Sequence, residues 1–336
     1  MNKIYITLIF LLPASVMLFS GCQHDTLVDP NNYGGNQMMQ ISSTSTPGFC
    51  MNSYIKTLSG SNYSFICLGN EGLRVMNVSN PASPGQIADY NITGFTEETV
   101  VASINNTNVA FIAAGNGGLD VVDVTNLSVP VMDTLLNFSG DYISSVFLDE
   151  ATKTLYAGGD MGKMYILNVS NIPSVTLVST YQAYNLINAI QVYGNTAYIV
   201  QDGGMDIVNV SNPANPYRYS RGTSSDYAYD VKLYGNYAYV ANNTYGVAVF
   251  DISNPTSPQN IGFIDTYDIA LSVSLNGTLL YIAEDQGGVE TWDIGDPYNP
   301  QYLAYYYTPG YAQSVRYYNG YVYVSDYSNY TILKYP

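Results

Sequence analysis

Carboxylates and tyrosines dominate the reactive side chains of this sequence: 26 Asp plus Glu and 35 Tyr stand against 10 Lys plus Arg and one His in 336 residues. The histidine is His24, two residues beyond Cys22. The chain after it is histidine-free, which excludes histidine triads, histidine metal sites and histidine general bases from its body. What remains is carboxylate chemistry, in which a pair of Asp or Glu residues, alone or beside a loop-held metal, hydrolyses or eliminates across a glycosidic bond. Asp230 is the best-placed candidate. The residues at its equivalent places, Ser145, Ala189, Ser272 and Ser314, are neutral, so no repeated acidic ring is expected. Loops such as Asp202-Gly203-Gly204-Met205-Asp206 lack the alternating acidic ligands of an EF-hand, and no metal or other cofactor is assigned.

A second pattern points to binding rather than catalysis. Tyr142, Tyr227 and Tyr311 each stand four residues before a repeated valine, and Tyr184 and Tyr267 stand two residues earlier in their own repeats. Glu97, Glu98, Asp141, Asp226, Asp268, Glu284 and Asp285 fall in the same connecting segments. Tyrosines beside carboxylates suit stacking on sugars or holding a polar or cationic peptide. The competing reading is that the tyrosines fill gaps in the core.

The elements that must position these residues come from a repeat. "GLRVMNVSNPASP" from Gly72 recurs as "GLDVVDVTNLSVP", "KMYILNVSNIPSV", "GMDIVNVSNPANP", "GVAVFDISNPTSP" and "GVETWDIGDPYNP". The Asp or Asn before the serine-asparagine turn falls at 77, 123, 168, 209, 251 and 293, a period of 40-odd residues that suits one four-stranded propeller blade. Each period parses into strands A to D, short runs rich in Val, Ile and Tyr between Gly, Asn and Pro signals. The repeated phrase is punctuation. Proline presets a dihedral and asparagine bonds its own backbone where strand C ends, the second proline opens an edge strand D, and the glycines before strand C supply the positive φ of a tight hairpin.

Strand counting gives the closure. The last unit supplies A, B and C strands but no D, while "MMQISSTS" from Met38 precedes the first A strand as a D strand does elsewhere. Residues 38–45 are therefore expected to pair with 331–335. The fold class is all-β: a seven-bladed β-propeller of four-stranded antiparallel blades over 37–336, its ring closed by an N-terminal strand.

Residues 1–21 read as a signal peptide, with an early Lys, an apolar run and small residues before Cys22. "LFSGC" is similar to a bacterial lipobox, which implies lipidation of Cys22, a flexible tether over 22–36, and a chain exported and lipid-anchored to the cell envelope, at the outer membrane or the extracellular face. Cys50 and Cys67 fall on strands A and B of blade one. A turn at "SGSN" places Tyr54 opposite Cys67, so buried free thiols are expected rather than a disulfide. A net charge of −16 argues against nucleic acid as a partner.

The strand-and-turn phrases "VAFIAAGNGGLDVVDVTN", "TAYIVQDGGMDIVNVSNP" and "YAYVANNTYGVAVFDISNP" resemble the LVIVD-repeat family of bacterial and archaeal cell-surface proteins over roughly 60–336. The resemblance implies a β-propeller on an exported protein and carries no catalytic residue with it. Two function classes follow. One is a non-enzymatic module that binds a glycan, a peptide or a neighbouring envelope protein; the other is a carboxylate- or metal-dependent hydrolase or lyase using the central funnel.

Overall fold

A computed structural model describes residues 36–224 and 226–335; Cys22, His24, the signal peptide and nearly all of the expected tether lie outside them. Among the described residues the regular structure is entirely β. Blade 1 comprises strands A to D at Asn52–Leu58, Ser61–Cys67, Leu73–Asn77 and Gly85–Tyr90. Blade 2 comprises Glu98–Ile104, Thr107–Ala113, Leu119–Asp123 and Val131–Leu136, and blade 3 Ile143–Asp149, Thr154–Gly159, Lys163–Asn171 and Ser174–Gln182. Blade 4 uses Ile187–Tyr193, Thr196–Gln201, Gly204–Asn209 and Tyr217–Thr223, and blade 5 Asp230–Tyr234, Tyr237–Ala241, Val247–Asp251 and Gln259–Ile264. Blade 6 uses Ser272–Asn276, Leu279–Glu284, Gly288–Asp293 and Gln301–Tyr306. Within each of these six sheets the strands pair antiparallel in chain order.

Blade 7 is built from both ends of the chain. Its A strand is Ser314–Tyr318, and Tyr321–Lys334 follows as one extended run. That run folds back on itself. The rings of Tyr323 and Tyr330 stack at 6.1 Å, where seven residues of straight strand would separate them by roughly 23 Å, and Tyr327 at the bend takes a left-handed φ of 46°. Met39–Cys50 completes the blade, pairing Met39 with Lys334, Ser43 with Thr331 and Ser45 with Asn329. One further strand was not legible in the sequence. Asn36–Gln37 runs parallel to the blade 6 D strand, so the N-terminal segment spans two blades and buries Met38 between them.

Seven apolar clusters fill the seven gaps between neighbouring blades, which is where the core of a propeller must lie. One aromatic recurs in each B strand: Phe65, Phe111, Tyr156, Tyr198, Tyr239, Tyr281 and Tyr323, all buried. For these tyrosines the packing role is the right one. Truncating such a ring costs about 3 to 5 kcal/mol.

The repeated phrase is a tandem of side-chain-capped turns. Asp251 Oδ1 accepts the Ser253 amide at 2.8 Å and Asn254 Oδ1 accepts the Thr256 amide at 3.1 Å; Asn77 with Asn80 and Asn209 with Asn212 repeat the pair. The proline that follows has a second task. Its carbonyl accepts a hydroxyl from the preceding blade's D strand, Ser42 to Pro81, Ser179 to Pro213 and Ser220 to Pro255. Gly246 before strand C has φ 67°, and a Cβ there would stand 2.1 Å from the Ile264 carbonyl.

One register differs from expectation. Asn52, not Tyr54, faces Cys67, because the turn is the two-residue Ser59-Gly60 with φ of 49° and 81° rather than the four residues "SGSN". Cys50 and Cys67 are both buried and free, as expected.

Candidate functional site

The A strands form the inner edge of each blade, where the backbone has no further strand to pair with. Side chains fill that role by reaching across six of the seven junctions between neighbouring blades. Glu98 accepts the Val146 amide at 3.0 Å, Ser144 donates to the Ile187 carbonyl at 2.8 Å, and Asn188 donates to the Ala228 carbonyl at 2.7 Å. Asp230 accepts the Val273 amide at 3.1 Å and the Ser272 hydroxyl at 2.9 Å, and Arg316 donates to the Ser53 carbonyl at 2.8 Å, which carries the belt back to blade 1. Lys232 sits 2.6 Å from Asp230.

Pairing across to strand B adds one acidic counterpart to Asp230 without making a ring. Asp230 faces Ala241 and Glu98 faces Ala113, the same place in their blades, with the neutral Asn52, Ser145, Ala189, Ser272 and Ser314 completing the series. Glu98 escaped because blade 2 has Thr99 where blades 3 to 7 have Val or Ile, so counting from the valine misaligns it. Burial pushes the Glu98 carboxyl up to about 7.

The D-to-A segments and B-to-C turns meet at one end of the channel and are laced together. Gly69 bridges to Thr96, Gly115 to Ile143, Asn243 to Ala270 and Asp285 to Ala312. In blades 3 and 4 the corresponding turn residues are Asp160 and Asp202, two carboxylates that the sequence reading did not single out. Asp160, Asp202 and Asp285 are each held up to about 6, first by desolvation in the mouth and then by like charge: Asp141 and Asp202 on Asp160, Asp226 on Asp202, Asp268 on Asp285. Asp226 accepts only neutral donors, Asn243 at 2.9 Å, Thr244 at 2.7 Å and the Tyr227 amide at 2.8 Å. Glu97 is pushed up to about 7 by burial, against the pull of the Tyr142 hydroxyl at 2.6 Å.

The five candidate tyrosines do not form a uniform ring. Tyr227 and Tyr184 are exposed, at 48% and 77%. Tyr142 is half-buried against Gly115 and bonded to Glu97, Tyr311 packs edge-on to Tyr327, and Tyr267 packs edge-on to Tyr307. Of the acidic candidates, Asp141 is buried and spent on the Met161 amide and the Tyr165 hydroxyl. Glu284 is buried beneath its hairpin beside Glu290, a diagonal neighbour across strands B and C of blade 6. Burial, and after it for Glu284 the like charge of its neighbour, raises both carboxyls, so the pair resists carrying two charges. Trp292, the sole tryptophan, donates its indole N–H to Glu290 at 2.7 Å.

Fold and site together define a closed seven-bladed β-propeller with a polar channel belt and an acidic mouth. The LVIVD repeat is matched at residues 57–92, 107–137, 188–221, 225–266 and 309–333, and the chain belongs to the LVIVD-repeat family. The matched segments lie in blades 1, 2, 4, 5 and 7. Among solved structures, one titled "Crystal Structure of Mitotic Checkpoint Complex" contains a chain similar in fold, with a TM-score of 0.69 over 96% of this chain and 99% of that one at 11% identity. That likeness bears on the fold alone. No curated protein matches the chain in sequence.

Proposed function

We propose that this chain is a lipid-anchored envelope protein whose propeller binds, without catalysis, a cationic peptide segment of a partner at the channel mouth. The observation that carries the reading is uncompensated acidity. Asp160, Asp202, Asp226, Asp268 and Asp285 crowd one face, and among the described residues none of them makes a salt bridge. A Lys or Arg side chain entering the mouth relieves that repulsion, and the exposed Tyr227 ring offers it a face. The net charge of −16 steers cations inward and polyanions away. The funnel-hydrolase alternative needs carboxylates free to meet a substrate, whereas Asp230 and Glu98 hold the next blade's backbone and the Glu284–Glu290 pair is sealed in blade 6. Cys22, which precedes the described residues, is the proposed lipid attachment and the reason for placing the propeller at the envelope.

The test is a fluorescence-anisotropy titration of the purified full chain with a labelled Lys/Arg-rich peptide, a Glu-rich peptide and a neutral oligosaccharide. The basic peptide is expected to bind in a salt-sensitive way, weakening about tenfold in an Asp202→Asn/Asp226→Asn double variant. Saturable binding of the neutral sugar alone would sink the reading. Detergent partitioning of Cys22→Ser tests the anchor separately, the expected result being loss of the detergent-phase form.

A further inference from the structure

The outer wall between blades 3 and 4 carries a cleft of about 630 Å³ whose lining departs from the acidic surface around it. Two of the four arginines in the sequence, Arg218 and Arg221, line it with Tyr184, Ser220 and Thr223. The cleft joins the rim of the mouth, through Tyr184 and Gly203, to the blade 4 D strand, which supplies its other four lining residues.

Both guanidinium groups are oriented by a carboxylate that leaves their donors largely available. Asp206 is wholly buried, accepts the Tyr181 hydroxyl at 2.9 Å, and leaves its Oδ1 without a hydrogen-bond partner. Arg218 and Arg221 approach it to 3.8 and 3.9 Å, near enough for attraction and too far for a hydrogen bond. Arg221 spends one donor on the Asp202 carbonyl at 3.1 Å, and its guanidinium lies 4.6 Å from the centre of the Tyr184 ring. The side chain of Arg218 is 49% exposed.

From this geometry we infer a binding site for a sugar that carries one carboxylate, a hexuronate unit. Two arginines face one buried carboxylate, Asp206, with Asp202 at the margin of the cleft, so the site suits a monoanion better than a doubly charged anion. A planar guanidinium accommodates a carboxylate through paired N–H donors. The exposed Tyr184 ring gives a pyranose its apolar C–H face, and Thr223 lines the same cleft with Ser220, whose hydroxyl proton is held by the Pro255 carbonyl and whose oxygen is left to accept. The volume lies in the range of small-ligand sites.

Calorimetric titration of the full chain with methyl glucuronide, methyl glucoside, acetate and inorganic phosphate tests the inference. Methyl glucuronide is expected to saturate the protein, with methyl glucoside and acetate each at least about tenfold weaker. Arg218→Gln, at a half-exposed position and with its melting temperature checked against wild type, is expected to remove that preference for glucuronide over glucoside, and Tyr184→Ala its preference for glucuronide over acetate. Equal binding of glucuronide and glucoside overturns the arginine assignment, and equal binding of phosphate or acetate overturns the sugar assignment. Glucuronide binding unchanged in Arg218→Gln places the site elsewhere and overturns the inference whole.

Discussion

At the scale of single residues, the buried pair in blade 6 gives the molecule a pH response with a definite sign. Glu290 is pushed from an ordinary value near 4.5 up to about 7, with burial the main cause. Between those values the folded chain keeps a proton that the unfolded chain releases, so the stabilisation is complete below about 4.5, fades as pH rises, and is gone above about 7. The groups facing the pair divide: the charges of Asp268 and Asp265 raise the carboxyls further, while the Trp292 indole and the Asp268 and Tyr267 amides donate to them and pull them down, burial remaining the main cause. The protein is expected to melt at a higher temperature at pH 5 than at pH 8, and Glu290→Gln to narrow that difference. Emission from Trp292, hydrogen-bonded to Glu290, provides the local readout. A wild-type signal that does not move between pH 5 and pH 8 would contradict the raised Glu290 carboxyl.

At the scale of elements, the belt of side chains binding one A strand to the next is the device that tensions the channel. Asp230 serves four donors at once, the Val273 and Val231 amides, the Ser272 hydroxyl and Lys232. Asp230→Ala takes the carboxylate from the Val273 and Val231 amides in a half-buried setting, leaves Lys232 only the Val231 carbonyl, and is expected to destabilise the chain by about 1 to 3 kcal/mol, measured by urea unfolding. A change within a few tenths would mean that water replaces the carboxylate at no cost. The sequence made the blades legible because their punctuation is local: an asparagine bonding two residues ahead and a glycine taking positive φ act within one turn. It did not make register legible. The four-letter turn "SGSN" hid a two-residue hairpin, Thr99 displaced the counting frame in blade 2, and the Glu284–Glu290 contact depends on a diagonal between strands that no spacing in the chain announces.

At the scale of the whole molecule, closure decides cooperativity. Residues 36–45 cover the outer edge of blade 6, supply most of the last strand of blade 7, and place Met38 in the core between them. The need for a closing strand was legible from a missing D strand; the extra two-residue pairing was not, since two residues carry no pattern. Deleting residues 36–45 is expected to lower the urea midpoint and broaden the transition, as blade 7 loses its outer partner and the ring its mutual support. An unchanged, equally steep transition would show that six complete blades suffice.

That closing strand also has a history in time. Met39 pairs with Lys334, so at roughly 5 to 20 residues per second of synthesis the first strand waits on the order of 15 to 60 s for its partner to exist. An apolar strand left unpaired for so long would recruit the edges of other chains. Met39–Cys50 reads "MQISSTSTPGFC", a run of hydroxyls with a proline, and most of it stays open to water even in the finished ring. Its polarity, of little use to a core, keeps the waiting strand from finding the wrong companion first.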